Sequence, residues 1–333
     1  MDRIMMSHGS GGRAMHSLID SIFMEEFGNK ILRRKSDSAV IKIGHEEMAF
    51  TTDSYVVNPI IFPGGDIGSL AVHGTVNDLS VCGARPLYLS LGLVIEEGLD
   101  KKTLMRITKS ISAAAKIAGV QIVTGDTKVV EKGSCDRIFI NTSGIGKIYY
   151  SGLSVDRIRP GDAVIVSGNL GEHAISVLSK REGISFGTSV KSDSASLNGL
   201  IARALRVSGN VRFMRDPTRG GLGTTLNEIV SNGRFGIALK EKDIPVSEGV
   251  REACEFLGFD PIYLACEGRV VFITAPGDSD RVVKALKRDR LGSRSRVIGR
   301  VTSDHKGKVY MKTASGGLRL VDMLYGAELP RIC

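Results

Sequence analysis

The chain has 333 residues and a formal net charge of +9, and it is 42% hydrophobic and 24% charged. This length predicts two globular domains. The absence of a signal peptide and of any long apolar run predicts a cytoplasmic protein without a membrane segment. The basic clusters contain no interleaved aromatic residues and no nucleic-acid-binding motif, so we expect solvated basic faces and no nucleic-acid partner.

The first half of the chain mixes helical and strand patterns. A glycine-rich loop at residues 7–12 precedes apolar residues at helical spacing over residues 13–27. Two further helices are predicted at 66–81 and 100–118. Predicted strands lie at 39–43, 48–52, 87–95, 120–124, which ends at Gly125-Asp126, and 137–149, with a bend at Gly144 or Gly146.

Turn-forming residues at 156–162 separate the two halves, and we place the domain boundary just before them. The second half then alternates strands with helices, which predicts an α+β protein of two comparable domains. Its predicted elements are a strand at 163–167, helices near 173–180, 195–207 and 220–231, and strands near 237, 270–274 and 297–301.

The glycine-rich loop is the first candidate for binding a phosphate group. Gly9, Gly11 and Ala14 fit the pattern G-x-G-x-x-A, but residues 4–6 are too few to form the buried strand that a dinucleotide fold requires. The loop can still offer backbone N–H groups at a helix N-terminus, beside Arg13. A simple N-terminal turn explains the same residues.

Four aspartates stand at informative places, namely Asp53, Asp78, Asp126 and Asp216. Asp53 and Asp126 end predicted strands, and Asp216 can be read as the N-cap of the helix that follows. Asp78 lies in an otherwise apolar helix, where an ionised carboxylate needs a compensating partner. A magnesium nucleotide supplies such a partner, and several separated acids suit more than one Mg2+ ion.

The last residue is Cys333, one of five widely spaced cysteines that form no C-x-x-C pair. This spacing excludes a disulfide framework and a structural zinc site. Pro330 holds Leu329 extended, so the tail from Gly326 is expected to be a stiffened arm with a reach of about 25 Å. A thiol on such an arm indicates a carrier role. Arg331 favours the thiolate, whereas the terminal carboxylate opposes it.

Five segments together resemble the ATP-binding superfamily of aminoimidazole ribonucleotide (AIR) synthetase and selenophosphate synthetase. The loop Ser7-His8-Gly9-Ser10-Gly11-Gly12 and the ending Pro330-Arg331-Ile332-Cys333 are similar to those of its hydrogenase-maturation branch, the HypE family. The match covers essentially the whole chain. The five segments are Asp37-Ser38-Ala39-Val40-Ile41, Thr51-Thr52-Asp53, Asn77-Asp78, Gly125-Asp126-Thr127 and Asp216-Pro217-Thr218-Arg219-Gly220-Gly221.

The resemblance implies a two-domain PurM-like (AIR synthase-like) α+β fold. Residues 1–36 would carry the loop and first helix. Residues 37–150 would form an ATP-binding domain whose mixed sheet makes a homodimer. Residues 151–325 would form a C-terminal α/β sandwich, and residues 326–333 a flexible tail. ATP would bind between the two domains, close to the dimer interface.

The resemblance also implies a site for ATP and Mg2+. Asp37, Asp53, Asp78 and Asp216 match the metal and phosphate positions of the superfamily. The candidate nucleotide contacts combine the matching residues with the glycine loop, and they are Gly9, Gly11, Gly12, Asn77, Asp126, Thr127, Arg219 and Gly220.

The implied reaction begins when Cys333 receives a carbamoyl group from a carbamoyltransferase, HypF. ATP would phosphorylate the carbamoyl oxygen, and loss of phosphate and protons would leave a thiocyanate. Its cyanide would pass to iron on a HypC–HypD complex during [NiFe] hydrogenase maturation. Glu267 is the candidate base, with Lys128 as its partner across the site and His8 as a weaker candidate. A structural ion pair between Glu267 and Arg269 is the alternative.

Two other functions remain open at this point. A selenophosphate synthetase-like enzyme would place its reactive thiol near the N-terminal glycine loop, where this chain has Ser7 and His8 instead. A nonenzymatic thiol carrier would need Cys333 but none of the aspartates.

Overall fold

The computed structural model describes residues 3–184, 189–326 and 332–333. No helix within these ranges is long and apolar enough to cross a membrane. The N-terminal half forms a five-stranded mixed sheet in the order β1-β2-β7-β5-β6, in which only β5 and β6 run parallel. Its elements are α1 (Arg13–Leu18), α2 (Met24–Phe27), β1 (Ala39–Ile43), β2 (Glu46–Tyr55), β3 (Ile61–Phe62), β4 (Gly65–Asp66), α3 (Ile67–Val81), β5 (Ala84–Glu96), α4 (Lys101–Ala118), β6 (Gln121–Val130) and β7 (Ile138–Ile148).

The predicted helix at 66–81 is confirmed and its start has a local cause. The Asp66 carboxylate accepts hydrogen bonds from the backbone N–H groups of Gly68 and Ser69, each at 3.0 Å, which satisfies two donors of the first turn. The helix α3 packs on the sheet, where a Cβ on Gly144 would lie 2.8 Å from Thr75. At the predicted bend at Gly144 or Gly146, β7 pairs with β2 without a shift, whereas its pairing with β5 shifts register opposite Gly146. Gly144 serves close helix packing.

Strand β6 is longer than the sequence indicates. It continues past Gly125 and Asp126 to Val130 because it pairs in parallel with β5 as far as Glu96. Gly125 permits a close approach to this neighbour, since a Cβ there would lie 2.5 Å from the Leu91 carbonyl oxygen. Pairing with the neighbouring strand thus overrides the local turn signal.

The C-terminal half forms a seven-stranded sheet in the order β14-β13-β10-β12-β8-β11-β9. Helices α6 and α9 cover one face and α7 covers the other, which confirms the predicted two-domain α+β fold. The elements are β8 (Ala163–Val166), α5 (Glu172–Glu182), α6 (Asn198–Val207), β9 (Val211–Arg215), α7 (Gly221–Val230), β10 (Gly236–Lys240), α8 (Glu248–Leu257), β11 (Val271–Thr274), α9 (Ser279–Lys287), β12 (Arg296–Thr302), β13 (Val309–Lys312) and β14 (Leu318–Val321).

The two halves share one hydrophobic cluster. Ile175 of α5 and Val250 of α8 are fully buried in the same cluster as Val57, Leu70 and Ile107 of the N-terminal half. These helices therefore join the second half of the chain to the core of the first. The candidate site lies along this junction.

Candidate active site

Acidic side chains from both halves meet at the junction. Asp53 lies within β2 and Asp78 within α3, whereas Asp216 follows β9 and Glu267 precedes β11. Asp78 accepts a hydrogen bond of 2.9 Å from the Thr51 hydroxyl. The sequence missed strand β9, and this strand is what brings Asp216 to the other acids.

Burial raises the pKa of these acids, and neighbouring carboxylates add to the rise at Asp78 and Asp216. Burial raises the pKa of Asp78 well above 3.8, and the charges of Asp216, Asp37 and Asp53 raise it further. Burial, together with Asp37, raises the pKa of Asp216 to about 7. Burial likewise raises the pKa of Asp37 and Asp53, although nearby guanidinium groups oppose the rise. Ionisation of these carboxylates is therefore unfavourable in the free protein.

The acid cluster fits a divalent cation by its chemistry. Hard cations take carboxylate oxygens as ligands, and a bound cation would favour the ionised forms that burial disfavours here. In the described part of the chain, no three His, Cys, Asp or Glu side chains stand close enough together to form a ready-made metal site.

Asp216 does not cap the helix that follows it, so that interpretation is wrong. Helix α7 begins at Gly221 and its N-cap is Gly220, which has a φ of +74°. A Cβ on Gly220 would lie 2.2 Å from Thr224 Oγ1, so only glycine fits this turn. The Asp216 carboxylate thus remains with the acid cluster, four residues before the cap.

Arg215 connects the acid cluster to the N-terminal helix, a link that sequence reasoning missed. Its guanidinium donates to Asp37 at 2.8 Å and forms an ion pair with Glu228 at 2.9 Å. His16 of α1 lies 2.8 Å from the same Glu228. Because Asp37 is 178 positions from Arg215, only the tertiary fold could reveal this pairing.

The glycines of the N-terminal loop allow close packing, and they do not serve only to expose backbone N–H groups. Gly11 has a φ of +82°, and a Cβ there would lie 2.8 Å from the Arg219 Cβ. A Cβ on Gly12 would lie 2.5 Å from the Leu324 carbonyl oxygen. The N–H groups of Arg13 and Ala14 donate to the carbonyl oxygens of residues 324 and 325, at 2.9 and 3.1 Å. Two donors of the predicted anion site are therefore already used.

Cys333 is partly buried and lines a cavity of about 620 Å³ between the N-terminal segment and the C-terminal half. Ile332 is buried in the shared cluster. Residues 327–331, the middle of the arm predicted from Gly326 to Cys333, lie outside the described residues, and so does the expected effect of Arg331. The cavity is lined by residues that include His8, Gly9, Ser54, Arg219, Gly220 and Cys333.

The surroundings of the Cys333 thiol keep it protonated. Burial raises its pKa well above 9, and the negative charge of Glu267 raises it further, while Arg219 opposes the rise. An ionised Cys333 would in turn raise the pKa of Arg219. The terminal sulfur therefore stands between a carboxylate and a guanidinium.

Glu267 is buried, and among the described residues no donor reaches its Oε1 atom. Burial raises its pKa well above 4.5, and Asp216 and Asp53 add to the rise. The alternative ion pair with Arg269 is wrong, because Arg269 pairs with Glu172 at 2.6 Å and with Asp193 at 3.4 Å. A buried carboxylate with a raised pKa and an unpartnered oxygen has the properties of a general base.

Asn77 is buried and uses its amide to join the two halves. Its Nδ2 donates to the carbonyl oxygens of Ala195 and Glu267, at 3.0 and 3.3 Å, and its Oδ1 accepts from the N–H of Leu197 at 2.8 Å. In this structure Asn77 therefore fixes the backbone of Glu267.

Asp126, Thr127 and Lys128 lie apart from the acid cluster, on the exposed edge strand β6. Lys128 forms an ion pair of 2.9 Å with Asp126, and both side chains are about two-thirds exposed to solvent. In the ranges that the structure describes, Lys128 makes this pair rather than one with Glu267.

Comparison with known proteins agrees with this architecture. Residues 35–148 match the N-terminal domain of AIR synthase related proteins, and residues 159–312 match their C-terminal domain. The chain is 50% identical to the carbamoyl dehydratase HypE of Rhizobium leguminosarum bv. viciae, over 99% of this chain and 95% of that protein.

Solved structures are similar over nearly the whole chain. A HypE structure in complex with ATP has a TM-score of 0.84 and 48% identity, over 99% of this chain and 100% of that chain. A HypE–HypF complex has a TM-score of 0.87 and 44% identity, over 92% of this chain and 100% of that chain.

Proposed function

The chain belongs to the HypE family of carbamoyl dehydratases, and from this premise we propose that it dehydrates a carbamoyl group carried on its own Cys333 during [NiFe] hydrogenase maturation. The product is a thiocyanate, which is the source of the cyanide ligands of the hydrogenase iron. The observation that carries the proposal is the position of Cys333 between Glu267 and Arg219, beside the acid cluster. This position makes the terminal residue a substrate of its own site.

The proposed reaction removes one oxygen and two protons from the carbamoyl group. The γ-phosphoryl group of ATP is transferred to the carbamoyl oxygen and ADP leaves. The C–O bond then breaks, phosphate leaves with its electron pair, and both N–H protons are lost, so that S–C≡N remains on Cys333. Formation of phosphate makes an otherwise poor leaving group a good one.

In this proposal Glu267 accepts the N–H protons, since its free Oε1 atom and raised pKa suit a general base. Arg219 compensates negative charge beside the sulfur. Mg2+, when bound, supplies electrostatic stabilisation of the transferred phosphoryl group, and the residues that would hold it are Asp37, Asp53, Asp78 and Asp216. Gly9 and Gly220 lie in the cavity wall, where the nucleotide would bind.

We also propose a homodimer formed along β6. All of its residues up to Val129 are exposed, and its outer edge presents unpaired backbone donors and acceptors beside apolar Val123 and Val129. A second copy on this strand brings Asp126, Thr127 and Lys128 to an interface. Lys128 of one copy then becomes available to Glu267 of the other.

We expect Val129→Lys to weaken this dimer by at least about tenfold, because a charge replaces an apolar side chain that is 68% exposed in one chain. Light scattering after gel filtration would measure the oligomeric state across protein concentration. Ile117→Lys, on the exposed face of α4, is the matched control. Equal dimerisation of both variants and the unaltered protein would contradict the proposed interface.

The proposed partners follow from the chemistry of the tail. HypF would donate the carbamoyl group, as the similarity to a HypE–HypF complex suggests, and a HypC–HypD complex would accept the cyanide. Both exchanges belong in a reducing cytoplasm, where the thiol stays free.

The intact mass of the protein, after incubation with a carbamoyl donor system and ATP, tests the proposal. We expect a gain of one carbamoyl group on Cys333, followed by loss of one water only when ATP is present. Cys333→Ala should gain nothing while still binding ATP.

Modification at Cys82 or Cys266 would contradict the carrier role of Cys333. A carbamoylated Cys333 that ATP leaves unchanged would indicate a nonenzymatic thiol carrier. Release of a free selenophosphate product would indicate the selenophosphate synthetase-like alternative.

A further inference from the structure

Ile332, the residue before the terminal cysteine, is held inside the protein in two ways. Its side chain is 4% exposed and packs in the hydrophobic cluster that the two halves share. Its carbonyl oxygen lies 2.8 Å from Nε2 of His173 on α5. The position of Cys333, one residue further along, therefore depends on how Ile332 is held.

The chemistry of this contact fixes the tautomer of His173. A carbonyl oxygen only accepts, so Nε2 carries the proton and donates it. On the other side of the ring, Nδ1 lies 2.8 Å from the Ser192 hydroxyl, which donates to it. Burial lowers the pKa of His173 and keeps the ring neutral. The imidazole therefore presents one defined donor toward the tail.

The ring is also held in place by packing. His173 is fully buried and meets Phe62 edge to face, with 5.3 Å between ring centroids. Ser192 is itself held, because its hydroxyl oxygen accepts from the N–H of Ser194 at 3.1 Å and its own N–H donates to Pro63. A donor held by a hydrogen bond to Ser192 and by packing on Phe62 can define the position of the last peptide group of the chain.

We propose that His173 is a positioning residue for the dehydration step. It binds the Ile332 carbonyl and so holds the Cys333 sulfur beside Glu267 and Arg219. The inference rests on the proposed dehydration for its kinetic consequence, whereas the hold on the tail is a property of the unmodified chain. A single neutral hydrogen bond is directional enough to align the reacting group, and weak enough to release the tail to partner proteins.

The first test is the rate at which iodoacetamide alkylates Cys333 in the free protein, measured on the C-terminal peptide by mass spectrometry. His173→Phe keeps a ring but removes the donor, and we expect alkylation about 5- to 10-fold faster because the tail opens more often. His173→Gln keeps an N–H donor and should restore most of the protection.

His73→Phe is the matched control. His73 also pairs through Nδ1 with a serine hydroxyl, Ser194 at 2.9 Å, but it lies on α3 and forms no hydrogen bond with Ile332 or Cys333, the described residues at the end of the tail. Its variant should alkylate at Cys333 like the unaltered protein. Thermal melting of all three variants shows that each is folded.

The second test is single-turnover dehydration of the carbamoylated protein with ATP. We expect His173→Phe to be slower by about 10- to 100-fold with ATP affinity unchanged, and His173→Gln to be intermediate. A Phe variant that matches the unaltered protein in both tests would overturn the proposal, as would a Gln variant as impaired as Phe. If the unaltered protein fails to dehydrate but the alkylation rates still differ as expected, the proposed function falls and the hold on the tail stands.

Discussion

Glu267→Gln should slow dehydration of the carbamoylated protein by about 10²- to 10⁴-fold, the usual contribution of a positioned general base. The substitution keeps the shape of the side chain and removes its ability to accept a proton. The unaltered protein should also become faster as pH rises through a range above the usual glutamate value of 4.5. Burial and neighbouring acids raise the pKa of Glu267, and only its ionised form is a base.

Single-turnover rates of the purified carbamoylated protein, followed by intact mass between pH 5 and pH 9, would measure this effect. The Gln variant should lose the rise with pH that Glu267 causes, while nucleotide affinity changes little. Glu172→Gln is the matched control, since Glu172 is a partly buried glutamate that pairs with Arg269. A Glu267→Gln rate within threefold of the unaltered protein would exclude Glu267 as the base.

The sequence predicts well those features that depend on neighbours along the chain. Helix α3 is read from its apolar residues and its Asp66 cap, and Asp78 within it stands out because an acid in an apolar helix is costly. Turn residues and apolar spacing likewise predict α4, α7 and most strands. The order of the short motifs indicates the superfamily, and the comparisons with known proteins confirm it.

Features that depend on distant contacts could not be predicted in this way. The pairing of Arg215 with Asp37 joins residues that are 178 positions apart in the sequence. Strand β6 continues beyond Gly125 because the neighbouring strand β5 supplies its hydrogen-bond partners. His173 carries no local signal, since a buried histidine in a helix is usually a core residue, and only the folded chain shows what its ring holds.

Asp216→Asn should stabilise the free protein at neutral pH while abolishing ATP use. The pKa of Asp216 is about 7 in the folded protein, against 3.8 as its ordinary value. A raised pKa means that its stabilising contribution is complete below pH 3.8 and is lost as pH rises through 7. Asparagine mimics the protonated form at every pH. Its advantage in the free energy of unfolding should therefore grow from near zero at pH 4 to on the order of 4 kcal/mol at pH 8.

Calorimetric melting at pH 5 and pH 8, with and without Mg2+ and ATP, would measure how the stability difference between the variant and the unaltered protein depends on pH and ligand. Without ligand the variant should melt higher at pH 8. With Mg2+ and ATP the unaltered protein should gain stability and the variant little, because ligand binding stabilises only a chain that binds it. Asp278→Asn is the control of opposite sign, since hydrogen bonding to Ser208 lowers the pKa of Asp278 and ionised Asp278 favours folding. If Asp216→Asn melts lower than the unaltered protein at pH 8 without ligand, ionised Asp216 does not destabilise the free protein and this explanation is wrong.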